Sequence, residues 1–155
     1  MRAASRNWTQ IVGAAAALFA LVAGTVLTST ARVQAQDAAG GSVWAGVYTE
    51  EQAKRGEAVA AKMCTSCHGP DLTGGEAGPA LVGLEFIGNW TNLTMADFFD
   101  RVHSTMPADS PGTLTEKQTS DVAAYVLKLN KYPAGATELS SDLGALKAIK
   151  IEGPR

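Results

Sequence analysis

At 155 residues, with 13 Lys and Arg against 15 Asp and Glu, the chain carries a formal net charge of −2 at pH 7. That length suits one domain with appendages, and the acidic balance argues against nucleic acid as a partner. Two cysteines and two histidines leave little material for a disulfide framework or a multi-ligand zinc site.

The first 35 residues contain no acid. Arg2 and Arg6 make a basic start, Ile11 to Leu27 is apolar, and Val33-Gln34-Ala35 stands before Gln36 as an A-x-A-like site. This order is that of a secretory signal peptide over residues 1–35, cleaved after Ala35. A retained anchor is the alternative, since the apolar run approaches the short end of a spanning helix. Only in that case would the protein meet a membrane. Cleavage removes Arg2, Arg6 and Arg32, leaving 10 basic against 15 acidic side chains and a net charge of −5. Such a charge is compatible with docking on a basic patch of a redox protein.

Residues 36–47 read as a Gly/Ala-rich linker and an arm carrying Trp44 and Val47, expected to lie extended on the domain. Thr49-Glu50-Glu51-Gln52 has the capping-box form, with Gln52 reaching back to the cap. A helix is expected from Glu50 to Cys67.

That helix ends in Cys64-Thr65-Ser66-Cys67-His68, where both cysteines meet one of the two histidines. Cys-x-x-Cys-His is the attachment pattern of a c-type haem. Two thiols must reach the two vinyl groups of one porphyrin while the adjacent imidazole reaches iron. On a helical turn the three side chains fall at i, i+3 and i+4, on one face. Gly69-Pro70 then stops the helix. A bare C-x-x-C is also compatible with a thioredoxin-like dithiol or half a zinc site. The dithiol lacks its usual βαβ setting, and zinc would have only His103 to add.

Residues 71–88 are dense in Gly and Pro yet hold Leu72, Pro79, Leu81, Val82, Leu84, Phe86 and Ile87. An irregular apolar loop suited to a flat greasy ligand is expected there. Thr94 to Asp97 opens a second helix ending near His103. Thr115 to Gln118 repeats the capping-box pattern before a third helix over residues 116–130, with Val122, Tyr125, Val126 and Leu129 at i, i+3, i+4 and i+7. Tyr132-Pro133-Ala134-Gly135 stops that helix, and a short helix can follow over residues 141–149. No β alternation stands out, and no internal repeat, so one haem per chain is expected.

An iron held by one histidine is open on its other side. Met63 is adjacent to Cys64 on the proximal helix and cannot reach it. Met95 falls in the first turn of a helix, a position for core. Met106, in Ser104-Thr105-Met106-Pro107, lies in a loop from which its thioether could cross the plane. His103 is its rival, and a vacant or water-filled site is the third case. His/Met ligation raises the reduction potential relative to His alone and fills the coordination shell. An open site would allow ligand binding or peroxide chemistry.

With these residues the chain resembles the class I c-type cytochromes, specifically small bacterial periplasmic monohaem proteins, over about Tyr48 to Pro133. Cys64, Cys67 and His68 match the thioether and proximal positions, and Met106 before Pro107 matches the distal methionine. Gly78-Pro79-Ala80-Leu81 matches a Gly-Pro-x-Leu segment whose proline carbonyl accepts a bond from the proximal imidazole. Gly56 matches a small residue where the first and last helices cross, and Tyr125 the aromatic facing it. Trp90 resembles a tryptophan that contacts a haem propionate. Ala60 departs from the pattern, standing where the first helix usually carries an aromatic.

The resemblance implies an all-α cytochrome c fold: three to four main helices with long irregular loops around one covalent haem c. The domain would span residues 48–133, with 134–155 as a C-terminal extension. Trp44 to Thr49 and Pro133 to Leu139 look like a narrower group often found with pyrroloquinoline-quinone (PQQ)-dependent dehydrogenases. The expected function is periplasmic electron transfer, from a dehydrogenase to an oxidase or another cytochrome, with no catalytic residue. Two alternatives stand beside it. One is the haem subunit of a redox enzyme, for example in sulfur-compound oxidation, with an open distal site. The other is a haem-based sensor or binding module.

Overall fold

A computed structural model describes residues 41–155. The expected signal peptide and residues 36–40 of the linker lie outside the described residues. In chain order the elements are β1 (Gly41–Ser42), a 3-10 turn (Val43–Ala45), α1 (Glu50–Met63), α2 (Thr65–His68), α3 (Gly83–Trp90), α4 (Met95–Thr105), α5 (Glu116–Leu129), α6 (Leu143–Lys147) and β2 (Ile149–Lys150). None of these helices is long and apolar enough to cross a membrane. The fold is the all-α one expected.

Helix α1 begins at Thr49, whose hydroxyl accepts from the Gln52 amide at 3.1 Å. Only half of the expected box forms. The Gln52 carboxamide is drawn away to Leu139, donating to its carbonyl at 2.9 Å and accepting from its amide at 2.7 Å. Two partners in the interior replace one exposed cap amide, and Gln52 is buried as a result. At Thr94 and Thr115 the boxes close in both directions, with Asp97 and Gln118 reaching back.

Helices α1 and α5 cross at Gly56. A Cβ there would collide with the Asp121 backbone carbonyl and lie 2.9 Å from the Tyr125 Cβ. The crossing is also tied electrostatically. Arg55 grips the buried Asp121 carboxylate with Nε at 3.1 Å and Nη2 at 2.9 Å, and Lys117 approaches it at 3.2 Å. Ala60, lacking the usual aromatic ring, is buried in the core.

Three helix boundaries also depart from the sequence reading. The proximal helix is not continuous to Cys67: it breaks at Cys64 (φ −118°, ψ −36°) and resumes as the single turn α2. The segment expected to be irregular to residue 88 is irregular only to Val82, because α3 starts at Gly83. Phe86 on α3 is buried while Leu84 is exposed, an amphipathic turn concealed in the sequence by its missing side-chain cap. Helix α4 runs two residues past His103, to Thr105.

The arm and tail are built together. The arm is a 3-10 turn that buries Val43, rather than an extended strand. Gly41–Ser42 pairs in parallel with Ile149–Lys150, Tyr48 Oη donates to the Tyr132 carbonyl at 2.7 Å, and Trp44 Nε1 donates to the Gly153 carbonyl at 3.0 Å. Leu139, Leu146, Ile149 and Ile151 of the tail join the same hydrophobic core as Phe86, Phe98 and Val126. Gly46 and Gly135 meet so closely that a Cβ on Gly135 would strike the Gly46 carbonyl.

Candidate haem site

The turn α2 carries the Cys64–His68 motif against a cavity of about 870 Å³, within the range of roughly 300–1,000 Å³ usual for cofactor sites. Cys64, Cys67, His68, Pro79, Trp90 and Met106 all line it. The sequence therefore located six side chains that the fold brings to one space. Helices α4 and α5 supply much of the apolar wall, including Phe98, Val102, Val122 and Val126.

His68 is nearly buried, 7 % exposed. Its Nδ1 lies 2.7 Å from the Pro79 carbonyl oxygen. A carbonyl can only accept, so Nδ1 carries the proton, and in the neutral ring Nε2 is the lone-pair nitrogen. Gly78 makes the approach feasible, since a Cβ there would stand 3.0 Å from Nδ1.

The two thiols differ. Cys64 is half-buried and Cys67 exposed. Burial, and then the neighbouring Cys67, push the Cys64 thiol above its ordinary pKa. Among the described residues, no group of three His, Cys, Asp or Glu side chains converges to hold a metal ion, so the zinc reading has no ligand set.

The candidates for the second axial position separate by location. Met95 is fully buried in the core. Met63 lines the cavity from the end of α1, beside the thiols. His103 is outside the lining: its ring packs at 5.7 Å from Phe99 and Nδ1 lies 3.3 Å from Thr119 Oγ1. Met106 follows α4 in extended conformation and lines the cavity. Trp90 stands at the wall with its ring edge-on to Phe98 at 4.8 Å.

These residues fit a haem. The cavity offers the two thiols of the Cys-x-x-Cys-His motif, one imidazole held through Nδ1, the thioethers of Met63 and Met106, and an apolar lining. Its sulfur and nitrogen donors suit iron in a porphyrin. Sequence reasoning missed the polar ties that shape the wall. Glu85 accepts from the Ala80 amide at 3.1 Å, and Asn130 binds the backbone at Leu81 and Gly83. An Asn after a helix reads locally as a cap, and nothing nearby signals a reach of 47 residues.

Fold and site together are those of a haem-binding electron-transfer module carrying one c-type haem, similar to the c-type cytochromes. Residues 51–126 match the family described as cytochrome C oxidase, cbb3-type, subunit III. Among solved structures, the sulfane dehydrogenase SoxCD from Paracoccus pantotrophus is similar at 30% identity, with a TM-score of 0.46, over 52% of this chain and 44% of that one. The chain thus spans less than half the length of that neighbour. A comparison with curated proteins finds no match.

Proposed function

We propose that this protein is an exported single-haem electron carrier. Cys64 and Cys67 would form the thioether bonds, and His68 Nε2 and the Met106 thioether would be the donors that hold the iron. Pro79 would orient the imidazole, and Trp90 would contact a propionate. When bound, the haem supplies reversible one-electron exchange at its iron. The chain's part is to fix both axial donors, exclude water with the walls of α4 and α5, and tether the cofactor. The observation that carries this reading is the pairing of Met106 with a tautomer-fixed His68 in the lining of one cavity.

Export rests on the N-terminal pattern of residues 1–35, and the periplasm is the compartment that follows. The partners proposed are redox proteins. A PQQ-dependent dehydrogenase would be the electron donor, on the resemblance of the arm and tail. A terminal oxidase or another cytochrome would be the acceptor.

An absorption spectrum tests the assignment. The ferric protein should show a sulfur-to-iron charge-transfer band toward the red, lost in Met106→Ala. Ready binding of carbon monoxide by the ferrous wild type would overturn it and favour an open-site enzyme subunit or sensor. For export, the purified protein should begin at Gln36; retention of Ile11 to Leu27 would refute cleavage.

A further inference from the structure

Asn130 stands just beyond α5, and its carboxamide makes three hydrogen bonds. Nδ2 donates to the carbonyls of Leu81 and Val126, both at 2.9 Å, and Oδ1 accepts from the Gly83 amide at 2.9 Å. One side chain thereby joins the end of α5 to the backbone on both sides of Val82. Two residues before Leu81, Pro79 offers its carbonyl to His68.

The other hydrogen bonds of residues 72–85 stay local. Leu81 donates to Leu72 at 2.8 Å, Gly75 to Gly78 at 2.9 Å, Ala80 to Glu85 at 3.1 Å, and Gly74 back to His68 at 2.8 Å. Among the described residues, only Asn130 hydrogen-bonds this segment to a distant part of the domain. Leu72, at φ 55° and fully buried, anchors it by packing, but a packed side chain fixes no carbonyl direction.

We propose that Asn130 is a positioning residue for His68: it holds the backbone that carries the Pro79 carbonyl and so sets the strength of the imidazole's hydrogen bond. This rests on the reading that His68 ligates the haem iron. A bond from Nδ1–H to a carbonyl makes the other ring nitrogen a stronger donor, which favours ferric over ferrous iron. Loosening the loop weakens that bond and raises the reduction potential. Neither residue closest to it in shape substitutes. Aspartate can still accept from Gly83 but cannot donate to Leu81, and leucine does neither.

The test compares holoprotein of the wild type, Asn130→Asp and Asn130→Leu. Three readouts are taken: reduction potential, solvent exchange of the hyperfine-shifted His68 Nδ1 proton by NMR, and denaturant midpoint. Asn130→Leu should raise the potential and speed exchange about ten-fold, the protection lost with one hydrogen bond. Asn130→Asp should fall between and serves alone if the leucine variant fails to fold. A lowered midpoint with potential and exchange unchanged would overturn the proposal, leaving Asn130 a purely structural tie. A wild type without any shifted His68 ring proton would overturn the ligand assignment and this proposal with it.

Discussion

The carboxamide of Gln52 is spent entirely on the backbone of Leu139, 87 residues away, with bonds of 2.9 and 2.7 Å in a buried setting. Leu139 lies in a stretch without helix or strand, so its amide and carbonyl have no ladder to satisfy them. Removing the carboxamide leaves both groups buried and unpaired, which costs about 1–3 kcal/mol per group. Gln52→Ala should lower stability by roughly 2–6 kcal/mol on that basis, while Gln52→Glu keeps only the acceptor and loses part of the same amount. Urea titration of the holoprotein, followed by far-UV circular dichroism, checks this. A midpoint within error of the wild type would refute it.

The crossing at Gly56 reverses an ordinary expectation. Gly→Ala in an exposed helix gains about 1 kcal/mol. Here the added methyl meets the Asp121 carbonyl, which is backbone and cannot rotate away. Overpacking of this kind costs about 1–3 kcal/mol, so it outweighs the propensity gain. Gly56→Ala should therefore destabilise the protein, and Gly56→Val more so, measured as thermal midpoints. An alanine variant more stable than the wild type would show that the helices can separate at little cost.

Alkaline pH probes the arm. Burial, reinforced by Glu50, lifts the Tyr48 phenol to about 12 from the ordinary 10. Burial also raises Tyr132, with Glu152 adding to it. Between these values the unfolded chain releases protons that the folded chain retains. Stability is thus intact below pH 10 and falls as pH rises from 10 toward 12. Tyr48→Phe should flatten part of that decline, leaving the shares due to Tyr132 and to Tyr125, whose phenol burial also raises. Denaturant midpoints of both proteins across this range make the comparison, and parallel declines would exclude Tyr48 as a cause.

Capping at Thr94 predicts an effect at acid pH. Hydrogen bonds from the Thr94 hydroxyl and amide hold the Asp97 carboxyl below its ordinary pKa. The stability it lends is present above the unfolded value and disappears as pH falls through the lowered folded one. Thr94→Ala should cost about 0.5–2 kcal/mol at neutral pH, and the difference from the wild type should shrink in acid. A difference independent of pH would show that the loss lies elsewhere.

Local chemistry made much of the site legible in the chain. Cys64, Cys67 and His68 are consecutive enough for one turn to set their geometry, and Thr94 and Thr115 announce their helices within four residues. Met106 stood out by its place in a loop, Pro79 and Trp90 through resemblance, and all three line the cavity beside the motif. What escaped was long-range. Helix α3 has no polar cap because the Gly83 amide is satisfied by Asn130 instead. Gln52 looked like a capping residue because Leu139 is invisible from its position. The pair β1–β2 has two residues per strand, too few to display a period.

That short pair also orders events in time. The bonds that join the arm to the tail close intervals of 84 to 110 residues, and β1 has no strand partner until residue 149 has been made. Closing so long a loop carries an entropic cost that must be met before its contacts return anything. Pulsed hydrogen exchange during refolding should find the amides of α5 protected before that of Gly135, which bonds to Tyr48 in the arm. On that timetable the cysteines are already presented on their turn while the two ends are still apart, and the seam is the last stitch, drawn after the cofactor's chamber has taken shape.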